Sequence, residues 1–181
     1  MMGKDFTVPA VEISPAEPKA TVLLFSENGR ASLTAQTQKH LEAGHRVIAI
    51  DPFYYGESKI ASHGFLFAIT AAAVGERPLG IQASQIAAAA RWAEAEFKQG
   101  PVTVAGVGPR ASVVALAAAA LEPKAIAGLE LHQPMDSLKE LIDKAVGVDK
   151  MPELFCFGLL RDFDMKELIA LAAPRPVAIV K

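Results

Sequence analysis

The chain has 181 residues, of which 51% are hydrophobic, 21% charged and 7% aromatic, with a formal net charge of −2. That length fits one domain over 1–181, enough to bury roughly 70% of the unfolded surface, and the apolar content excludes a disordered chain. Lys+Arg 18 against Asp+Glu 20 leaves no basic excess for nucleic acid, and a single cysteine, Cys156, excludes a disulfide scaffold.

Met1 to Asp5 lacks the apolar run of a signal peptide. The longest weakly polar stretch, Ala111 to Leu121, is about half of what a bilayer span needs. These features predict a soluble, membrane-independent protein, cytoplasmic by default. Residues 1–20 read as a lead-in, since Pro9, Pro15 and Pro18 deny them a helix and leave at most an edge strand around Phe6–Ile13.

From Thr21 onward, strands and helices alternate. Thr21–Ser26 is a short continuous apolar run, which predicts a strand buried on both faces. Ser32–Ala43 reads as a helix with Leu33, Thr37 and Leu41 at four-residue spacing and Gly44 as its stop. His45–Asp51 is a second buried strand, followed by a polar and aromatic loop over 53–58. A short helix is expected around Phe65–Ala73, with Gly75 and Pro78 as interruptions, and the strongest helix over Ile81–Phe97. Pro101–Ala105 and Ala125–Leu131 are further strands flanking a small-residue helix, Ala111–Leu121. Capping-box spacing at Ser137–Glu140 predicts a helix running to about Val146, and Asp164–Glu167 repeats the device before Leu168–Ala172. Pro176–Val180 is a fifth apolar strand.

Strands joined by helices imply right-handed crossovers and a parallel sheet covered on both faces. The predicted fold class is therefore α/β, a three-layer α/β/α sandwich on a mostly parallel sheet of five strands or slightly more. If the sheet ends at the fifth strand, its open edge allows a homodimer.

Ligands of open α/β sheets bind beyond the carboxyl ends of the strands. The candidate rim is then Ser26, Glu27 and Asn28 after the first strand and Asp51, Tyr54 and Tyr55 after the second. Val107, Gly108 and Arg110 follow the third strand, and His132 the fourth. Gly106 to Ala111 matches the G-x-G-x-x-A dinucleotide fingerprint, with Glu130 as the ribose partner. The fingerprint normally opens the first strand–helix–strand unit and here lies in the third, so a tight turn needing glycine is the better reading and no cofactor is expected.

The same turn occupies the place of the nucleophile elbow G-x-S-x-G. Together with Gly44–Asp51 followed by Gly56-Glu57-Ser58, the turn Ser26–Gly29, and the stretches Arg77–Gly80 and Ala173–Pro176, it resembles the α/β-hydrolase superfamily, in its acetyl-xylan-esterase-like branch. The similarity runs over about residues 20–181. It implies ester hydrolysis through an acyl-enzyme and an oxyanion hole. Matching Gly106 to the first glycine of the elbow, however, puts Gly108 where the nucleophilic serine stands. Pro109 offers no amide for the oxyanion hole, and the acid and histidine that this family carries after the strand resembling Pro176–Val180 do not appear before Lys181.

Other residues have plainer readings. Ser112 is expected to bond back to its own helix, Cys156 to be an inert core residue, and Arg110 to face solvent. His132 is expected to be structural, His40 and His45 to be surface residues, His63 a loop residue, and Tyr54 and Tyr55 to cover a core edge. Scattered histidines and helix-capping Asp162 and Asp164 give no metal site. The sequence thus predicts a hydrolase-fold protein without a working triad, either a catalytically silent homologue or a portion of a longer hydrolase. The alternatives are a small-ligand module, taking an ester, sugar or carboxylate on the rim, and a Rossmann-like nucleotide binder.

Overall fold

A computed structural model describes residues 7–60, 62 and 64–181. The expectations placed on Phe6 and His63 lie outside the described residues.

Six strands form one sheet: β1 (Ala10–Ile13), β2 (Thr21–Ser26), β3 (Arg46–Ile50), β4 (Val102–Val107), β5 (Ile126–His132) and β6 (Val177–Val180). Their order is β1-β3-β2-β4-β5-β6, with β1 antiparallel to β3 and every other neighbour parallel. The six residues of β2 are all buried, as an apolar run in the middle of a doubly covered sheet requires. β1, at the edge, is exposed throughout.

The helices that flank the sheet are α1 (Thr34–Glu42), α2 (Gly64–Ala73), α3 (Pro78–Phe97), α4 (Pro109–Leu121), α5 (Glu140–Asp143), α6 (Leu159–Asp162) and α7 (Met165–Ala172). Two apolar clusters separate the layers. The larger joins alternate β-strand residues such as Leu23, Phe25, Val104 and Leu131 to α3, α4 and α7. The smaller joins Val22, Leu24, Val47, Ala49 and Ala105 to Leu33 and Leu41 at α1. Successive residues of β2 feed opposite clusters, which is the period of two made visible.

Several boundaries differ from the sequence reading. Pro78 starts α3 instead of interrupting the chain, because a proline at the first helical position gives up an amide that has no partner there anyway. The helix expected from Ser137 is cut to α5: Glu140 accepts from the amides of Asp136 and Ser137, but Ala145 turns at φ +48 and ends the run. The second capping box is present in full at Asp164 and Glu167 and starts α7. The strand order explains where a site belongs, since the chain leaves β2 for β3 on one side and returns to β4 on the other. The carboxyl ends of β2 and β4 therefore flank a switch point.

Leu116 in α4 is 0% exposed and belongs to the larger cluster, whereas Leu121 at the end of the same helix is 59% exposed. Leu116→Ala is expected to cost about 2–5 kcal/mol in urea denaturation. Leu121→Ala is expected to stay within about 0.5 kcal/mol of the parent chain in the same measurement.

Candidate functional site

Register places the site residues before any side chain is considered. Ser26 pairs with Val107, Val107 with His132 and His132 with Val180, so the four parallel strands end level. Beyond them the chain turns from β4 into α4 at Gly108, whose φ of +105 and ψ of 162 are open to glycine and strained for other residues. Gly106 has a second reason to be glycine, since a Cβ there would meet the Ala111 carbonyl oxygen at 2.7 Å. Strand and helix approach that closely, which supports the tight-turn reading of the glycine pattern.

The space in front of Gly108 holds the side chain of Glu27. A Cβ at Gly108 would come within 2.7 Å of the Glu27 carboxylate. The carboxylate accepts from the Arg110 amide at 2.8 Å, so it caps the start of α4 where the helix has donors to spare. Pro109 offers no amide at this corner, and that of Arg110 is thus engaged. A dinucleotide phosphate approaching the same helix end would meet a carboxylate. Glu130, the expected ribose partner, lies instead between His40 and His132.

Arg110 does not face solvent as its sequence position predicted. Its Nε donates to Glu153 Oε1 at 2.5 Å and its Nη2 to Oε2 at 2.9 Å, a bidentate pair in which Glu153 is 1% exposed. The Tyr55 hydroxyl donates to the same Glu153 oxygen at 2.9 Å, and the guanidinium carbon lies 5.2 Å from the Tyr55 ring centroid. Burial pulls the Arg110 pKa down, but the bonds to Glu153 outweigh it and the net shift is upward. Burial, helped by the charge of Glu153, pushes the Tyr55 phenol well above its ordinary range. Burial also raises the Glu27 carboxyl, against the pull of the Arg110 amide. Tyr55 is 0% exposed, and Tyr54 is buried at φ +71, so both are packed into the corner rather than presented as a stacking platform.

Asp51 organises the neighbouring rim. Its carboxylate, 1% exposed, accepts from the Arg30 amide at 2.7 Å, Arg30 Nη1 at 2.6 Å and the Glu57 amide at 3.0 Å. Gly56 is pressed against this carboxylate, and a Cβ at Gly29 would meet Gly56 Cα at 2.5 Å. Arg30, Asp51, Asn28 and Glu57 line one end of a cavity of about 720 Å³, while Val11, Ile13, Leu41 and Ala49 line its apolar side.

Ser26 is buried, accepting from the Asn28 amide, and Ser58 donates to the Asp51 carbonyl. Neither has an imidazole among the partners recorded for it. Ser112 donates to the Gly108 carbonyl at 2.9 Å, the back-bond expected of it. Three other expectations are corrected. Cys156 is half-buried between exposed Phe155 and Phe157 in a loop, so it is not a core residue. His40 is 3% exposed because α1 turns it toward the sheet, and His45, just before β3, is half-buried with its ring 5.8 Å from that of His40. Asp162 pairs with Arg161 instead of capping a helix. Among the described residues no group of three or more His, Cys, Asp or Glu is arranged to hold a metal ion, and no helix is long and apolar enough to cross a membrane.

Removing one partner of a buried pair strands the other charge. Arg110→Met and Glu153→Gln are each expected to cost about 3–5 kcal/mol, and Arg110→Met combined with Glu153→Leu to recover most of that loss in a double-mutant cycle of chemical denaturation.

No established family pattern and no curated protein matches this sequence. Solved structures do match its fold. A protein assigned as an acetyl xylan esterase from Bacteroides fragilis superposes with a TM-score of 0.75 at 14% identity, covering 94% of this chain and 54% of its own. A protein assigned as a hydrolytic enzyme from Pseudomonas aeruginosa gives 0.53 at 21% identity, covering 78% and 40%. One assigned as a non-heme bromoperoxidase from Mycobacterium tuberculosis gives 0.52 at 15%, covering 77% and 47%. The chain thus spans about half the length of these neighbours. A mostly parallel six-stranded sheet, flanking helices and these likenesses together give the chain an α/β-hydrolase-like fold.

Proposed function

We propose that this chain is an esterase-like α/β-hydrolase-fold protein that performs no acyl transfer, either as a catalytically silent homologue or as part of a longer hydrolase. The observation that carries the reading is the Gly108 corner. It has no side chain to attack an ester, and the adjoining volume is taken by Glu27. Covalent catalysis of the hydrolase kind needs a hydroxyl or thiol held against a base there. Arg110, Glu153 and Tyr55 bind one another in place of a substrate.

A second reading is favoured by the cavity at Asp51, whose apolar side and polar end suit a small amphipathic ligand. Binding there needs no nucleophile and is compatible with a closed corner. Thermal shifts with sugars and carboxylates test it, and stabilisation by NAD instead favours a nucleotide binder.

The expected outcome for the main reading is no turnover of p-nitrophenyl acetate above background and no labelling by a fluorophosphonate. Turnover that vanishes in Ser26→Ala or Ser58→Ala overturns it.

A further inference from the structure

Helix α1 carries a buried histidine onto a charged residue of the sheet. His40 Nε2 lies 3.6 Å from Glu130 Oε2, and His132 Nε2 lies 3.5 Å from the same oxygen. Glu130 and His132 stand two apart on β5 and so share a face. His45, between α1 and β3, sets its ring 5.8 Å from that of His40. His40 Nε2, His132 Nε2, His45 Nδ1 and Glu130 Oε2 are all buried and have no hydrogen-bond partner among the described residues. Both separations from Glu130 are too long for good hydrogen bonds. Three imidazoles and one carboxylate thus meet where α1 packs on the sheet.

Imidazole is the side chain that changes charge between pH 5 and 8. For His40, burial is the largest influence and disfavours the charged form. The Glu130 charge opposes it, and His45, Lys39 and His132 add to it. For His132, burial again leads, with Glu130 opposing and Lys39 adding. Both groups are held below their ordinary 6.5.

We propose that His40 and His132, set on either side of Glu130, form an acid-operated catch that lets α1 lift from the sheet. Neutral imidazoles pack between α1 and β5. Proton uptake places two like charges beside Lys39, with a single carboxylate to offset them. The sign follows from linkage: an imidazole held below 6.5 in the folded chain binds fewer protons than in the unfolded chain. The stability it contributes is full above about 6.5 and is lost as pH falls from there through the folded value. α1 supplies Thr34, Thr37, Gln38 and Leu41 to the wall of the 720 Å³ cavity, so its release opens that wall.

Amide exchange at pH 7.5 and 5.5, corrected for intrinsic rates, tests the catch on the whole chain. Protection of α1 is expected to fall several-fold relative to α3 in acid, because the imidazoles held below 6.5 take up protons more readily once α1 has opened. The pair His40→Gln and His132→Gln is expected to remove most of that pH dependence. In NMR titrations both imidazoles should have midpoints below 6.5, and Glu130→Gln should lower them further. Protection of α1 that tracks α3 at both pH values overturns the proposal, as do midpoints at or above 6.5 or midpoints indifferent to Glu130→Gln. Should the double variant fold poorly, exchange and titration of the parent chain decide the matter by themselves.

Discussion

The β4–α4 corner depends on one carboxylate in an unusual position. Glu27, from the loop after β2, reaches across the switch point and caps α4 through the Arg110 amide. Every hydrolase of this architecture has a helix end at that corner, with donors facing the reaction centre. Here those donors face a side chain from the protein itself. The Arg110 side chain then turns away from the sheet ends to Glu153, and Tyr55 closes the pair from a third loop. Four segments far apart in sequence are fixed by this network. Its gain in strength is modest, since buried ion pairs lose hydration as they gain Coulomb energy. What it contributes is placement.

The reading of function rests on that placement more than on the missing serine. A glycine at 108 by itself leaves a gap, and another hydroxyl or a bound water has room to act in a gap. Glu27 removes the gap, since a Cβ at position 108 would come within 2.7 Å of its carboxylate. The cavity at Asp51 lies to one side of this corner, between β1 and α1, and is lined by different residues. The fold therefore separates a sealed position from an open one.

Much of the architecture was legible because buried parallel strands are written as uninterrupted apolar runs. β2 was read to the residue, and β3 to β6 within one or two. Asp164 announced α7 through local capping chemistry. The errors at Arg110 and His40 concern contacts over long sequence separations. Nothing near Arg110 foretells Glu153, which lies 43 residues on. His40 reads as a surface residue when Leu33, Thr37 and Leu41 define the stripe. The spacing of seven between Leu33 and His40, two helical turns, was the available sign that both face inward. Cys156 was misplaced because its aromatic neighbours suggest a core, yet Phe157 is one of the most exposed apolar residues described.

The close fit at the corner also bears on any attempt to retrofit catalysis. Installing a hydroxyl at position 108 collides with Glu27, and shortening Glu27 uncaps α4. Pro109 still withholds its amide, and the Gly106–Ala111 approach leaves the backbone little freedom to re-aim. The corner is therefore rigid toward single substitutions: Gly106, Gly108 and Glu27 fix one another's positions, and a change at any one of them has to be answered at the others.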